Sequence, residues 1–120
     1  MKIYLSGPMT GYAHYNFPAF DTAADHLREL GHEVFNPADN DRDNGFDFTG
    51  TQGHEAADMG FNLREALKAD LTWICDHADA IALLDGWGQS KGAMAEVTLA
   101  AALALTPGMW HDYTEKGLIK

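Results

Sequence analysis

The sequence predicts an α/β fold: three layers, α/β/α, around a small parallel sheet of the flavodoxin or Rossmann-like kind. Strand-like and helix-like segments alternate along the chain, the order that a parallel sheet with helices on both faces requires. The first strand-like run ends at Gly7-Pro8, so it reads as an interior strand feeding a loop. The run 80–84 is apolar throughout and has strand length.

The elements follow in order. Residues 2–6 form the first strand. Residues 17–30 form a helix: Pro18 suits its first turn, Phe17, Phe20, Ala24 and Leu27 recur at helical spacing, and Gly31 stops it. Residues 33–36 make a second strand. Residues 37–60 are rich in Asp, Asn and Gly and read as one long loop, a length that usually marks function or mobility. Asn62 then caps a helix reaching about Cys75, with Glu65 as its capping-box partner and Leu63, Leu67, Leu71 and Ile74 as its buried stripe. Strand 80–84 leads into a Gly-rich turn, 85–90. Residues 91–105 form the last strong helix, stopped by Thr106-Pro107-Gly108, with a weak strand signal at 109–110. The tail from Thr114 carries no signal. In open parallel sheets ligands sit beyond the carboxyl ends of the strands. The loops 7–15, 37–60 and 85–90 are therefore the place to seek a site.

With 120 residues, 46% of them hydrophobic and 22% charged, the chain is expected to be one soluble globular domain spanning 1–120. Its net charge of −10 argues against a nucleic-acid polymer as partner, yet permits one small anionic ligand at a helix start. A single cysteine, Cys75, allows no intrachain disulfide and fits a reducing compartment. It lacks a helix-start context, so packing is expected of it rather than nucleophilic work. The start lacks the apolar run of a signal peptide, and 93–105 is too short to span a bilayer. A cytoplasmic protein with no membrane partner is expected.

Segment 90–96 carries the most chemistry. From 93 to 105 the helix holds one ionisable residue, Glu96. A helix apolar on all sides is usually covered on all sides. A carboxylate there is in a cleft, paired or protonated, unless it simply points to water. Its place one turn into a helix after a strand favours the cleft. Gly92 and Ala93 let a ligand approach closely, Ser90 adds a hydroxyl, and the free N–H groups of the first turn favour a phosphate. A plain Ser90 N-cap explains the same residues. Asp85 ends the strand 80–84 and is a candidate to face the site. Among Asp70, Asp76, Asp79 and Asp85, the residues alone do not single out a second carboxylate. Gly86 to Gly92 misses the dinucleotide fingerprint by one residue, and Lys91 precedes Gly92, so the nucleoside-triphosphate loop is absent too. The six histidines show no ligand spacing, so neither a metal nor another cofactor is expected.

Three blocks together show a family likeness: Tyr4-Leu5-Ser6-Gly7-Pro8-Met9-Thr10-Gly11; Asp70-Leu71-Thr72-Trp73-Ile74 with Ala78-Asp79-Ala80-Ile81; and Gly86-Trp87 with Ser90, Gly92, Ala93 and Glu96. The chain resembles the nucleoside 2-deoxyribosyltransferase superfamily, most closely its short, often phage-borne deoxyribosyltransferase-like branch. It is also similar to the 2′-deoxynucleoside 5′-phosphate N-hydrolases. The resemblance covers most of 1–105. It implies that Glu96 is a nucleophile forming a covalent deoxyribosyl-enzyme, and that Asp70 orients it or moves a proton. It implies that Ser90 binds a 5′-phosphate, where transferases of free nucleosides carry an aspartate. Tyr4 and Gly7 would border the sugar and base, with Pro8, Met9 and Trp87 expected beside them. The long segment 39–60 has no counterpart in that pattern. A retaining glycosyl transfer would set the two carboxyls about 5–5.5 Å apart. The expected partner is a small deoxynucleotide or deoxynucleoside, and the apolar last helix suggests a homodimer or higher homo-oligomer. Two other classes stay open: a nucleotide-binding module without turnover, and an interaction protein built on that helix.

Overall fold

The computed structural model describes residues 1–118. Its centre is a four-stranded sheet, all parallel, in the order β2-β1-β3-β4. The strands are β1 (Lys2–Ser6), β2 (Glu33–Phe35), β3 (Ala80–Leu83) and β4 (Pro107–Met109). The helices are α1 (Phe17–Glu29), α2 (Pro37–Asp43), α3 (Leu63–His77) and α4 (Lys91–Ala102). A two-stranded antiparallel hairpin, β5 (Tyr113–Thr114) and β6 (Gly117–Leu118), follows β4. The tail that is silent in the sequence thus pairs with itself, and the Tyr113 hydroxyl donates to the Ile81 carbonyl at 3.1 Å.

Alternation along β1 sorts the two cores. Ile3 and Leu5 point to the side of α1, joining Phe17, Phe20, Ala24, Leu27 and Phe48. Tyr4 points to the other side, where Ile81, Leu83, Ile74 of α3 and Ala100 of α4 close over it. Helices therefore cover both faces, as a three-layer α/β/α arrangement requires. β1 lies between β2 and β3, so the chain leaves β1 in one direction and returns on its other side. The crevice beyond Ser6 and Leu83 is the switch point where open sheets take ligands.

Several elements depart from expectation for identifiable reasons. Residues 37–60 are not one loop. Asn36 accepts the Ala38 N–H at 3.0 Å and Pro37 occupies the first turn, which together start α2. Phe48, from the same segment, is fully buried between Tyr15, Phe17 and Phe61. In α3, Ile74 is buried and Leu67 and Leu71 half-buried, but Leu63 is 66% exposed. The first turn of α3 overhangs a cavity, so no protein lies across from that leucine. Cys75 is exposed, not packed. α4 ends at Ala102 because Ala104 turns left-handed at φ 61°, and Leu105 N–H closes on the Ala100 carbonyl at 2.9 Å. Met94 and Leu103 on α4 remain 43% exposed each, so this helix is not covered on all sides.

Candidate active site

β1 and α4 build the centre of the site. Residues two apart on a strand share a face, so Tyr4 and Ser6 both aim at α4. Glu96, one turn beyond the start of α4, meets them. The Tyr4 hydroxyl donates to one Glu96 carboxyl oxygen at 2.6 Å, and the Ser6 hydroxyl donates to the other at 2.7 Å. Glu96 is only 6% exposed and does not point to bulk water. Asp70, from α3, interacts with both Glu96 and the Tyr4 hydroxyl. Two carboxyls distant in the chain thus share one hollow.

Burial sets their protonation. Removing a carboxylate from water disfavours its charge, and a second negative charge adds to the effect. The Glu96 carboxyl is pushed well above its ordinary value, by burial first and by Asp70 second. Burial also raises the Asp70 carboxyl, against the opposing pull of Tyr4 and Glu96 beside it. The Tyr4 hydroxyl is held un-ionised by burial and by both acids. Both shifts favour holding a proton on the pair at pH values where free carboxyls have lost theirs.

The hollow opens into a cavity of about 550 Å³, within the range of small-molecule pockets. Tyr4, Gly7, Pro8, Met9, Ser90, Gly92, Ala93, Asp70 and Glu96 all line it, so nine of the sequence candidates converge. Asp85 and Trp87 do not. Asp85 is exposed on the turn after β3, and Trp87 packs against the core between β3 and α4. Gly7 lines the wall for a steric reason: a Cβ there would meet the Leu84 Cβ at 2.7 Å. Ser90 caps α4, accepting the Ala93 N–H at 3.2 Å, so its cap role and its place on the cavity wall coexist.

Sequence reasoning missed Ser6, Asp41 and Lys91. Ser6 was readable from Tyr4 by the two-residue period of a strand. Asp41 was hidden by reading 37–60 as loop, although Asn36-Pro37 is a helix-start signal. Lys91, exposed at the cavity edge beside Ser90, supplies a positive charge there. Among the described residues no three His, Cys, Asp or Glu side chains form a cluster able to hold a metal ion. No helix there is long and apolar enough to cross a membrane.

Fold and site together define an α/β domain that holds a buried glutamate beside a half-buried aspartate at the switch point of a parallel sheet. A family model described as a domain of unknown function, DUF4406, matches residues 1–106, and the chain belongs to that family. Comparison with curated proteins and with solved structures returned no match.

Proposed function

We propose that this protein cleaves or transfers the N-glycosidic bond of a 2′-deoxynucleoside 5′-monophosphate, or of the free deoxynucleoside, through a covalent deoxyribosyl-Glu96 intermediate. One observation carries the reading: a buried glutamate, gripped on both oxygens by Tyr4 and Ser6 and set beside Asp70, faces a nucleotide-sized cavity. The resemblance to the deoxyribosyltransferase superfamily supports it from the sequence side.

The chemistry follows from the two acids. When their shared proton sits on Asp70, Glu96 is a carboxylate fixed for attack. It bonds to the anomeric carbon, the carbon–nitrogen bond breaks with its electron pair leaving on the base, and Asp70 gives the base a proton. Water, or a second base, then attacks the same carbon. Asp70 takes the proton this nucleophile loses, and Glu96 departs as carboxylate. Two inversions give net retention. Ser90, Lys91 and the free N–H groups at the start of α4 suit a 5′-phosphate. No cofactor enters the scheme. The reading also takes the protein as cytoplasmic and as a homodimer joined through the open apolar face of α4.

The test is incubation with a panel of 2′-deoxynucleosides and their 5′-monophosphates, followed by chromatography for free base. Base release that falls on the order of 10³-fold or more in Glu96→Gln supports the scheme. Binding without release by the wild type would overturn it in favour of a nucleotide-binding module.

A further inference from the structure

The cavity contains a third carboxyl. Asp41 lies on α2, is 4% exposed and lines the cavity wall. Among the described residues its carboxyl has no hydrogen-bond partner, while the neighbouring Arg42 is drawn away to Asp21 at 2.6 Å and Asp39 at 3.2 Å. A buried carboxyl left unpartnered costs stability unless something in the cavity satisfies it. Its position relative to the other acids is informative. Asp70 lies close enough to raise the carboxyls of both Glu96 and Asp41. α2 follows β2 and α4 follows β3, on opposite sides of β1, so Asp41 stands across the crevice from the start of α4. With the phosphate at the start of α4 and the anomeric carbon at Glu96, the opposite wall is the one left for the base, and Phe20 and Phe61 also line the cavity.

We infer that Asp41 is a further catalytic residue, whose carboxyl O–H donates a hydrogen bond to the departing base on the side away from the sugar and steadies the negative charge that the base gains as its bond to carbon breaks. The inference rests on the glycosidic reading of the site and adds a role within it. The acid has to be neutral to donate. Burial, then the charge of Asp70, raises it to about 7 against the opposing pull of Arg42. A carboxylic acid kept neutral in an apolar site is an established way to hold an anionic transition state. The proton stays on Asp41 throughout, so the proton carried by Asp70 still balances the reaction. The assignment also defines the ligand: a base with a hydrogen-bond acceptor, ring nitrogen or carbonyl oxygen, on its outer edge.

The experiment compares leaving groups. An ordinary base gathers negative charge as its bond to carbon breaks, before the proton from Asp70 is fully delivered, whereas N7-methylguanine starts cationic and leaves neutral, so it has no charge to steady. Asp41→Leu is expected to lower kcat at least tenfold on unmodified 2′-deoxynucleoside 5′-monophosphates. On the N7-methylated dGMP the loss is expected to stay within threefold. Asp41→Asn keeps an N–H donor of similar shape and is expected to recover most of kcat on the unmodified substrates. Equal losses on both kinds of substrate, or no loss on either, would overturn the role of Asp41 and leave the glycosidic reading standing. An Asn variant as impaired as the Leu variant would also overturn it. Absence of base release from every substrate by the wild type would instead sink the glycosidic reading, and this assignment with it.

Discussion

Tyr4 and Ser6 occupy both oxygens of Glu96, so the proposed nucleophile is aimed before any ligand arrives. A hydrogen bond to a carboxylate lowers its proton affinity, and one to a charged group contributes about 1.5–3 kcal/mol. Tyr4→Phe is therefore expected to raise the pH at which Glu96 becomes available and to slow base release at neutral pH by about 10–100-fold. Rate against pH checks this: the acid limb should move to higher pH, which a merely structural defect would not do. The buried acids also set the stability. Burial raises all three carboxyls, Asp41 to about 7, so the native state binds more protons than the unfolded chain does. Stability then falls as pH rises, from about 4, the ordinary carboxyl range, up through the folded values. Each carboxyl held protonated in excess adds a slope of up to about 1.4 kcal/mol per pH unit. Asp41→Asn should flatten part of that slope below pH about 7 and give a variant more stable than wild type at pH 8, as thermal unfolding across pH would register.

At the scale of elements, α4 serves two ends. Its start presents Ser90, Gly92 and Ala93 to the cavity, and its next turn delivers Glu96 to β1. Ser90→Ala removes the cap on Ala93 N–H and is expected to cost about 1 kcal/mol of stability. Ser90→Asp keeps a capping oxygen but sets a negative charge against a phosphate. Its stability should stay near wild type, while KM for 2′-deoxynucleoside 5′-monophosphates rises at least tenfold and KM for free deoxynucleosides changes little. Steady-state kinetics on the two substrate kinds separates cap from phosphate contact; equal changes in both would remove Ser90 from phosphate binding. α2 plays a quieter part. Short as it is, its Asn36 cap and Pro37 fix the helix that carries Asp41 to the cavity.

For the whole molecule, one surface stands out. Met94, Thr98, Ala101 and Ala102 are exposed along one side of α4, a stripe of small and apolar residues at helical spacing. If that face joins two copies, wild type sediments as a dimer, and Met94→Lys with Ala101→Glu sediments as a monomer at the same concentration. Sedimentation of both at the same mass would remove α4 from any interface. The sequence determined a good deal unaided. Its alternation of strand and helix dictated the layered fold, because buried faces have to be covered and the periods 2 and 3.6 are local properties. It also marked Glu96, since a lone acid in an apolar helix stands out without any coordinates. What it did not determine was everything that depends on distance in space. Residue types alone left Asp70 level with Asp76 and Asp79, and only the resemblance set it apart; α3 laid beside α4 brings it to Glu96, while Asp79 accepts the Lys2 backbone N–H at 2.8 Å. Asp41 gained meaning only when α2 and α3 met around one cavity, because burial and mutual repulsion, the forces that tune these acids, act between residues far apart in the chain.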